Sequence, residues 1–167
     1  MKSYPKKSLN PIDRLGVYKR LSDVPDRFRL YHHAEAYEER DVWQEFCEEY
    51  EYEQADYDRY EEEVDRVGDC WKTFMADQGR HHALAISDNV NQWCADLLES
   101  KSERRTHDYF LRVNRFYDWL KWHSEHPHVY NPVLMAPVTG EAARTVWGVK
   151  AAQNREQRRK YRRQSNE

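Results

Sequence analysis

Apolar residues along this chain recur at steps of three and four, the period of a helix with one buried face. No stretch alternates apolar and polar positions long enough to predict a strand. Trp43, Phe46, Cys47 and Tyr50 predict a helix over about 39–51. Tyr57, Tyr60, Val64, Val67, Trp71 and Phe74 predict a longer one over about 56–77, which Gly79 should stop. Ser87 or Asp88 stands where a cap belongs for a helix facing inward through Val90, Trp93, Cys94, Leu97 and Leu98. Ser100 or Ser102 opens the next helix, which should run to about residue 124 before the proline-bearing stretch "HPHVYNPVLMAP" ends it. A last helix is expected over about 140–163, "GEAARTVWGVKAAQNREQRRKYRR", apolar at first and then strongly basic.

The links between these segments are short, about three to ten residues, which favours one compact all-α bundle over separate domains. That bundle is expected over residues 35–136, with 1–34 as an N-terminal arm of scattered apolar residues, prolines and turn formers, and 137–167 as a basic linker or tail helix. Its predicted core is Trp43, Phe46, Trp71, Phe74, Trp93, Leu97, Phe110, Val113, Phe116 and Leu120.

Composition adds that such a core is affordable. The mean hydropathy is low, at -1.15, but six Trp, twelve Tyr and five Phe supply large apolar area. No apolar run reaches the roughly 18 residues needed to cross a bilayer, and "MKSYPKKSLNPIDR" has no apolar signal segment, so no membrane partner and a cytoplasmic location are expected. Cys47, Cys70 and Cys94 each lie beside apolar residues with no CxxC pair, which predicts reduced buried thiols rather than a disulfide or a metal site.

Charge changes the picture more. The net charge of -3 conceals a segregation: residues 1–34 carry eight basic and three acidic side chains, 35–69 three basic and sixteen acidic, and 144–167 eight basic and two acidic. Basic ends of this kind point to nucleic acid or an acidic protein surface as partner. The helix containing "RRTHDYFLRVNRFYDWLKW" sorts its side chains onto two faces. Tyr109, Phe110, Val113, Phe116, Tyr117 and Leu120 form the core face; Arg104, Asp108, Arg112, Arg115, Trp119 and Trp122 form a second stripe. Arginine forks suit phosphate oxygens and guanine edges, Thr106 and Asn114 add neutral donors, and the helix N-terminus at about 102–105 favours phosphate.

In helix order, loop lengths and its "HPHVYNP" exit, the chain over about residues 9–136 resembles the N-terminal core-binding domain of tyrosine recombinases, the phage-type integrases. "DVWQEFCEEY", the acidic helix ending "CWKTFMADQGR", "ISDNVNQWCADLLES" and "YFLRVNRFYDWL" resemble its four helices in turn, and "RLGVYKRLSDVPDRFRLY" with "HPHVYNP" is particularly similar to the integrases of haloarchaea and their mobile elements. The resemblance implies a four-helix, SAM-like bundle closing over one face of duplex DNA, with the second and fourth helices toward the major groove. Carried over by position, it nominates Arg104, Arg105, Thr106, Arg112 and Arg115. The second helix departs from the pattern, because "DYDRYEEEVDRVGD" is acidic where DNA contact favours basic residues, and no contacts are carried onto it.

In cutting members a following domain supplies the tyrosine nucleophile with its Arg and His partners. Past the bundle this sequence leaves room for a linker helix only, so no enzyme activity, catalytic residue or cofactor is expected; Tyr161 in "RRKYRR" has no catalytic company. The tail is expected to supply general affinity through Lys150, Arg155, Arg158, Arg159, Lys160, Arg162 and Arg163, beside the N-terminal lysines. His123, His126 and His128, and the pairs His32–His33 and His81–His82, are read as satisfied or exposed rather than metal-binding. Duplex DNA is the expected partner, with an intact recombinase or further copies on DNA beside it. The alternative is a helical interaction module that modulates a recombinase or mimics nucleic acid through its acidic helix.

Overall fold

The computed structural model describes the backbone of residues 18–49 and 57–165, with the side chains of 18–49, 61–149 and 156–165. Among these residues every regular element is helical and there is no strand. The fold is all-α. Three single turns of 3-10 helix between Leu21 and His33 lead into α1 (Ala34–Tyr37); then come α2 (Val42–Glu49), α3 (Tyr57–Asp77), α4 (Ser87–Ser100), α5 (Glu103–Trp122), α6 (Pro132–Thr139) and α7 (Glu141–Ser165).

Local chemistry sets most of these boundaries. The Asp41 carboxylate accepts the Gln44 N–H at 3.1 Å and so caps α2. Gly79, at φ +72°, closes α3: its N–H reaches Ala76 O and the Arg80 N–H reaches Met75 O, both at 3.0 Å. Ser102 caps α5 by accepting the Arg105 N–H at 3.1 Å. For α4 the expected cap is corrected. Neither Ser87 nor Asp88 fills that place; Asn89 Oδ1 reaches back to the Ile86 N–H at 3.0 Å.

α5 is the central rod, with α2, α3, α4, α6 and α7 all packed on it. All ten predicted core residues are buried. Phe116 is fully enclosed, its ring 5.0 Å from Trp43, 5.5 Å from Phe46 and 5.3 Å from Tyr117 between centroids. Trp43 in turn lies on Gly68 of α3, where an added Cβ would overlap the indole. This glycine sits mid-helix, where glycine weakens a helix, because α2 and α3 can approach so closely only without a side chain. The three cysteines are free, with Cys94 buried and Cys47 and Cys70 half-buried.

Two features depart from the predicted bundle. The first is α6, a helix inside the stretch expected to be a terminator. Pro132 occupies its first turn, where no N–H is needed, and Asn131 Oδ1 caps it by accepting the Val133 N–H at 2.9 Å. The same Asn131 amide donates to Asn114 Oδ1 at 2.9 Å and Asp118 Oδ1 at 3.1 Å, fixing α6 to α5. The second is α7, whose start belongs to the core: Ala143 and Val146 are fully buried, and Trp147 meets Phe110 at 6.1 Å. Gly140 cannot cap this helix itself, and Asn91 of α4 does so by accepting the Ala143 N–H at 3.0 Å. The expected domain boundary after residue 136 therefore falls within α6.

The described part of the N-terminal arm packs on the bundle through Val24 and Leu30, both buried, and the Leu30 N–H donates to the Tyr130 hydroxyl at 3.4 Å. Residues 1–17 lie outside the described residues.

Truncating Phe116 to Ala removes the ring from the centre of this aromatic cluster and should cost about 3–5 kcal/mol in urea unfolding. A loss below roughly 1 kcal/mol would place that face outside the core.

Candidate nucleic-acid interface

Winding α5 separates the nominated residues sharply. Arg104 and Arg115 are exposed. Thr106 is fully buried, its hydroxyl donating to Ser102 O at 2.9 Å within the first turn, so it is a helix-start residue and presents no donor to a ligand. Asn114 is likewise buried and bonded to Asn131. Arg112, nominated for DNA contact, is only 8% exposed, and its guanidinium is 2.7 Å from Glu63 Oε2. Arg105, half-buried, donates to the other oxygen, Glu63 Oε1, at 2.6 Å, and its guanidinium lies 5.2 Å from the Tyr109 ring centre. Lys101 approaches the same ring at 5.1 Å.

Glu63 belongs to α3, in the acidic half that carries no predicted contact. It is the functional residue that sequence reasoning missed, because its partners lie 42 and 49 positions away. Burial would raise its carboxyl, but the hydrogen bond and charge of Arg112, joined by Arg105, hold it below the usual glutamate range. Glu63 is therefore ionised at neutral pH, one anion between two cations. Glu61, Glu62, Asp65 and Asp69 on the outer side of α3 are exposed.

The second half of α7 is different in kind. All ten residues from Glu156 to Ser165 are exposed, including Arg158, Arg159, Lys160, Arg162 and Arg163. One acid lies among them, Glu156, 3.5 Å from Lys160, both well exposed. An ion pair this exposed contributes little and yields readily to another anion. The helix extending past Val149 is about 24 Å long at 1.5 Å per residue. Lys150 and Arg155 lie on α7, but their side chains fall outside the described ones.

The histidines gather. His81, His126 and His128 surround Tyr37, and the ring of His82 stacks on that of His81 at 4.1 Å. Their nitrogens hold the loops together. His81 Nε2 meets Arg40 O at 2.8 Å and its Nδ1 accepts the Ala83 N–H; His82 Nε2 accepts the Trp43 N–H at 3.2 Å; Tyr37 bonds His126 Nδ1. His128 Nε2 donates to Ala83 O at 2.6 Å, while its Nδ1 has no hydrogen-bond partner among the described residues. The acceptor roles of His81 and His82 require neutral rings. Burial depresses His82 to about 3, helped by His81, and His128 to about 4. It also lowers His81 and His126. Beside this cluster lies an open cleft of about 670 Å³, with Glu35, Glu38 and Glu39 facing Arg80 and His81. Among the described residues no group of His, Cys, Asp or Glu is arranged to hold a metal, and no helix is long and apolar enough to cross a membrane.

Three comparisons with known proteins bear on this geometry, and no family model, curated protein or solved structure matches the chain.

The histidine cluster makes stability fall with acid. The native rings bind protons below the ordinary 6.5, so the unfolded chain takes them up first as pH drops. Stability should be level above about pH 7 and decline below 6.5, with His82 and His128 each costing about 2 kcal/mol by pH 5. Urea midpoints measured across this range, above most carboxylate titration, would contradict the burial of these rings if they stayed flat.

Proposed function

We propose that this protein is a DNA-binding module of the kind its sequence resembles, a SAM-like core-binding bundle acting in DNA integration or recombination without catalysis of its own. One observation carries the reading: the second half of α7 stands clear of the core with five described cations exposed and a single acid beside them. A helix of this charge lowers its own field by neutralising phosphates, and counterion release then drives association. Arg104 and Arg115, exposed on α5, are the bundle's own contribution to orientation. Arg112 is not placed to read a base edge, since extending into a groove would take its buried guanidinium away from the site it shares with Glu63. The exposed acids of α3 face away from this role and keep alive the second reading, a module docking a basic protein such as an intact recombinase.

Fluorescence anisotropy on a labelled random duplex tests the proposal. If the five exposed cations of α7 each neutralise one phosphate, log K should fall with log salt at a slope near about -4.5, from about -0.9 per phosphate. Removing residues 156–167 should flatten that slope by several units and weaken binding to all sequences alike. Arg104→Ala with Arg115→Ala should weaken it further, by roughly one unit of slope each at most. Failure of the full chain to bind any duplex at low salt would replace this reading with the protein-docking one.

A further inference from the structure

Glu63 stands where a ligand would. Its two oxygens each take one guanidinium, Arg112 at 2.7 Å and Arg105 at 2.6 Å, so a single carboxylate bridges two arginines of α5. That is the donor geometry with which proteins hold a phosphate group: planar forks converging on two oxygens of one anion. The pair is graded in depth. Arg112 is buried and fixed, whereas Arg105 has 37% of its side chain exposed and Glu63 23%. Solvent therefore reaches the site from the Arg105 side, where half-exposed Lys101 lies over the same Tyr109 ring as Arg105.

We infer that Arg105 and Arg112 form a phosphate-binding site on α5 which Glu63 occupies as a built-in competitor, and which a phosphate group of DNA fills when Glu63 swings out.

This deepens the DNA-binding reading and rests on it for the identity of the phosphate. The exchange needs no movement of α3. The apolar contacts of that helix, Val64, Val67 and Trp71, lie on its inner face, and Glu63 needs only a change of side-chain rotamer to reach water. Exchange for another anion keeps a charge pair at the buried Arg112, whereas opening the bridge with no replacement forfeits it. The occupant that suits the exchange is an oxyanion with at least two acceptor oxygens. Asp108, 3.9 Å from Arg105 and 46% exposed, is placed to hold that arginine while the bridge is exchanged. The site resists adventitious occupation: an anion must outcompete a tethered carboxylate that stays ionised at neutral pH. A duplex already held by the α7 extension presents phosphates at high local concentration and meets that condition.

The test is Glu63→Gln, which keeps the shape and removes the charge. In chloride the variant should melt below the native chain. Inorganic phosphate at matched ionic strength should then raise its melting temperature well beyond the small rise given to the native chain. The double variant Glu63→Gln with Arg105→Gln should lose that phosphate-specific rise. On duplex DNA, Glu63→Gln should bind about tenfold tighter than the native chain, with the salt slope steeper by about one phosphate. Should Glu63→Gln not fold in chloride, refolding in phosphate alone supports the site. Failure to fold in either salt, with no phosphate effect on Glu63→Asp, overturns it. Equal melting of Glu63→Gln in phosphate and chloride also overturns it. The phosphate arm stands without DNA: a phosphate rise with no duplex binding by any variant keeps the anion site and removes the DNA reading. Duplex binding unchanged by Glu63→Gln keeps that reading and removes this inference.

Discussion

The dry aromatic face of α5 is the constraint under which the rest of the molecule folds. A helix bearing Phe110, Phe116, Tyr117 and Leu120 in fully buried positions must be surrounded, and α2, α3, α4, α6 and α7 do the surrounding. Tyr117 shows how the polar groups are accommodated. Its hydroxyl, with no solvent exposure, donates to His82 O at 2.8 Å and accepts the Ala85 N–H at 2.9 Å, so the loop between α3 and α4 is fixed by the same side chain that fills the core. That loop carries His81 and His82, and from them the histidine cluster extends to Tyr37 and the chain after α5. Removing one ring from α5 therefore disturbs packing, a loop and a set of neutral imidazoles together.

The aromatic periodicity made this core legible from sequence, because helical spacing of large apolar residues has few other solutions. Helix ends were legible where one residue type does the work, as at Gly79 and Ser102. The α6 helix was not. Proline was read as a terminator at each of its positions, yet Pro132 falls in the first helical turn, where its missing N–H costs nothing. Whether a proline breaks or begins a helix depends on the residue before it, and Asn131 is a cap only because its amide also finds Asn114 and Asp118 on α5. The pairing of Arg105 and Arg112 with Glu63 was illegible for a related reason. Arginines at three- and four-residue spacing mark a face, but what opposes that face depends on how distant helices cross. The histidines behave likewise: two segments that look like separate polar turns, one before α4 and one after α5, meet around one tyrosine.

Charge segregation acquires a physical sense from these placements. The acidic stretch and the basic residues of α5 are not independent patches, because α3 packs on α5 and lends it a counterion. Isolated, the two arginines would repel each other across the core boundary; bridged by Glu63, they hold α3 to α5 above the apolar contacts. Among the described residues the cations of α7 receive no comparable partner: their side chains are exposed, and Glu156 offers only an exposed pair. The molecule thus divides its positive charge into an internally compensated set and an uncompensated one, and only the latter generates a field felt at a distance.

This division orders how an anionic polymer would engage the protein. Long-range attraction would act first on the α7 extension, whose exposed side chains need break no internal contact beyond the Glu156 pair to meet phosphate. Arg104 and Arg115, exposed but few, would come next and constrain the angle at which the bundle lies. The compensated pair comes last, since exchange there trades one anion for another and gains free energy only as the difference between them. Such an exchange suits discrimination better than affinity. On the proposed reading, a strong, indiscriminate contact would bring the duplex in, and a contact near energetic balance would respond to whether a phosphate sits at the one position the two guanidiniums define.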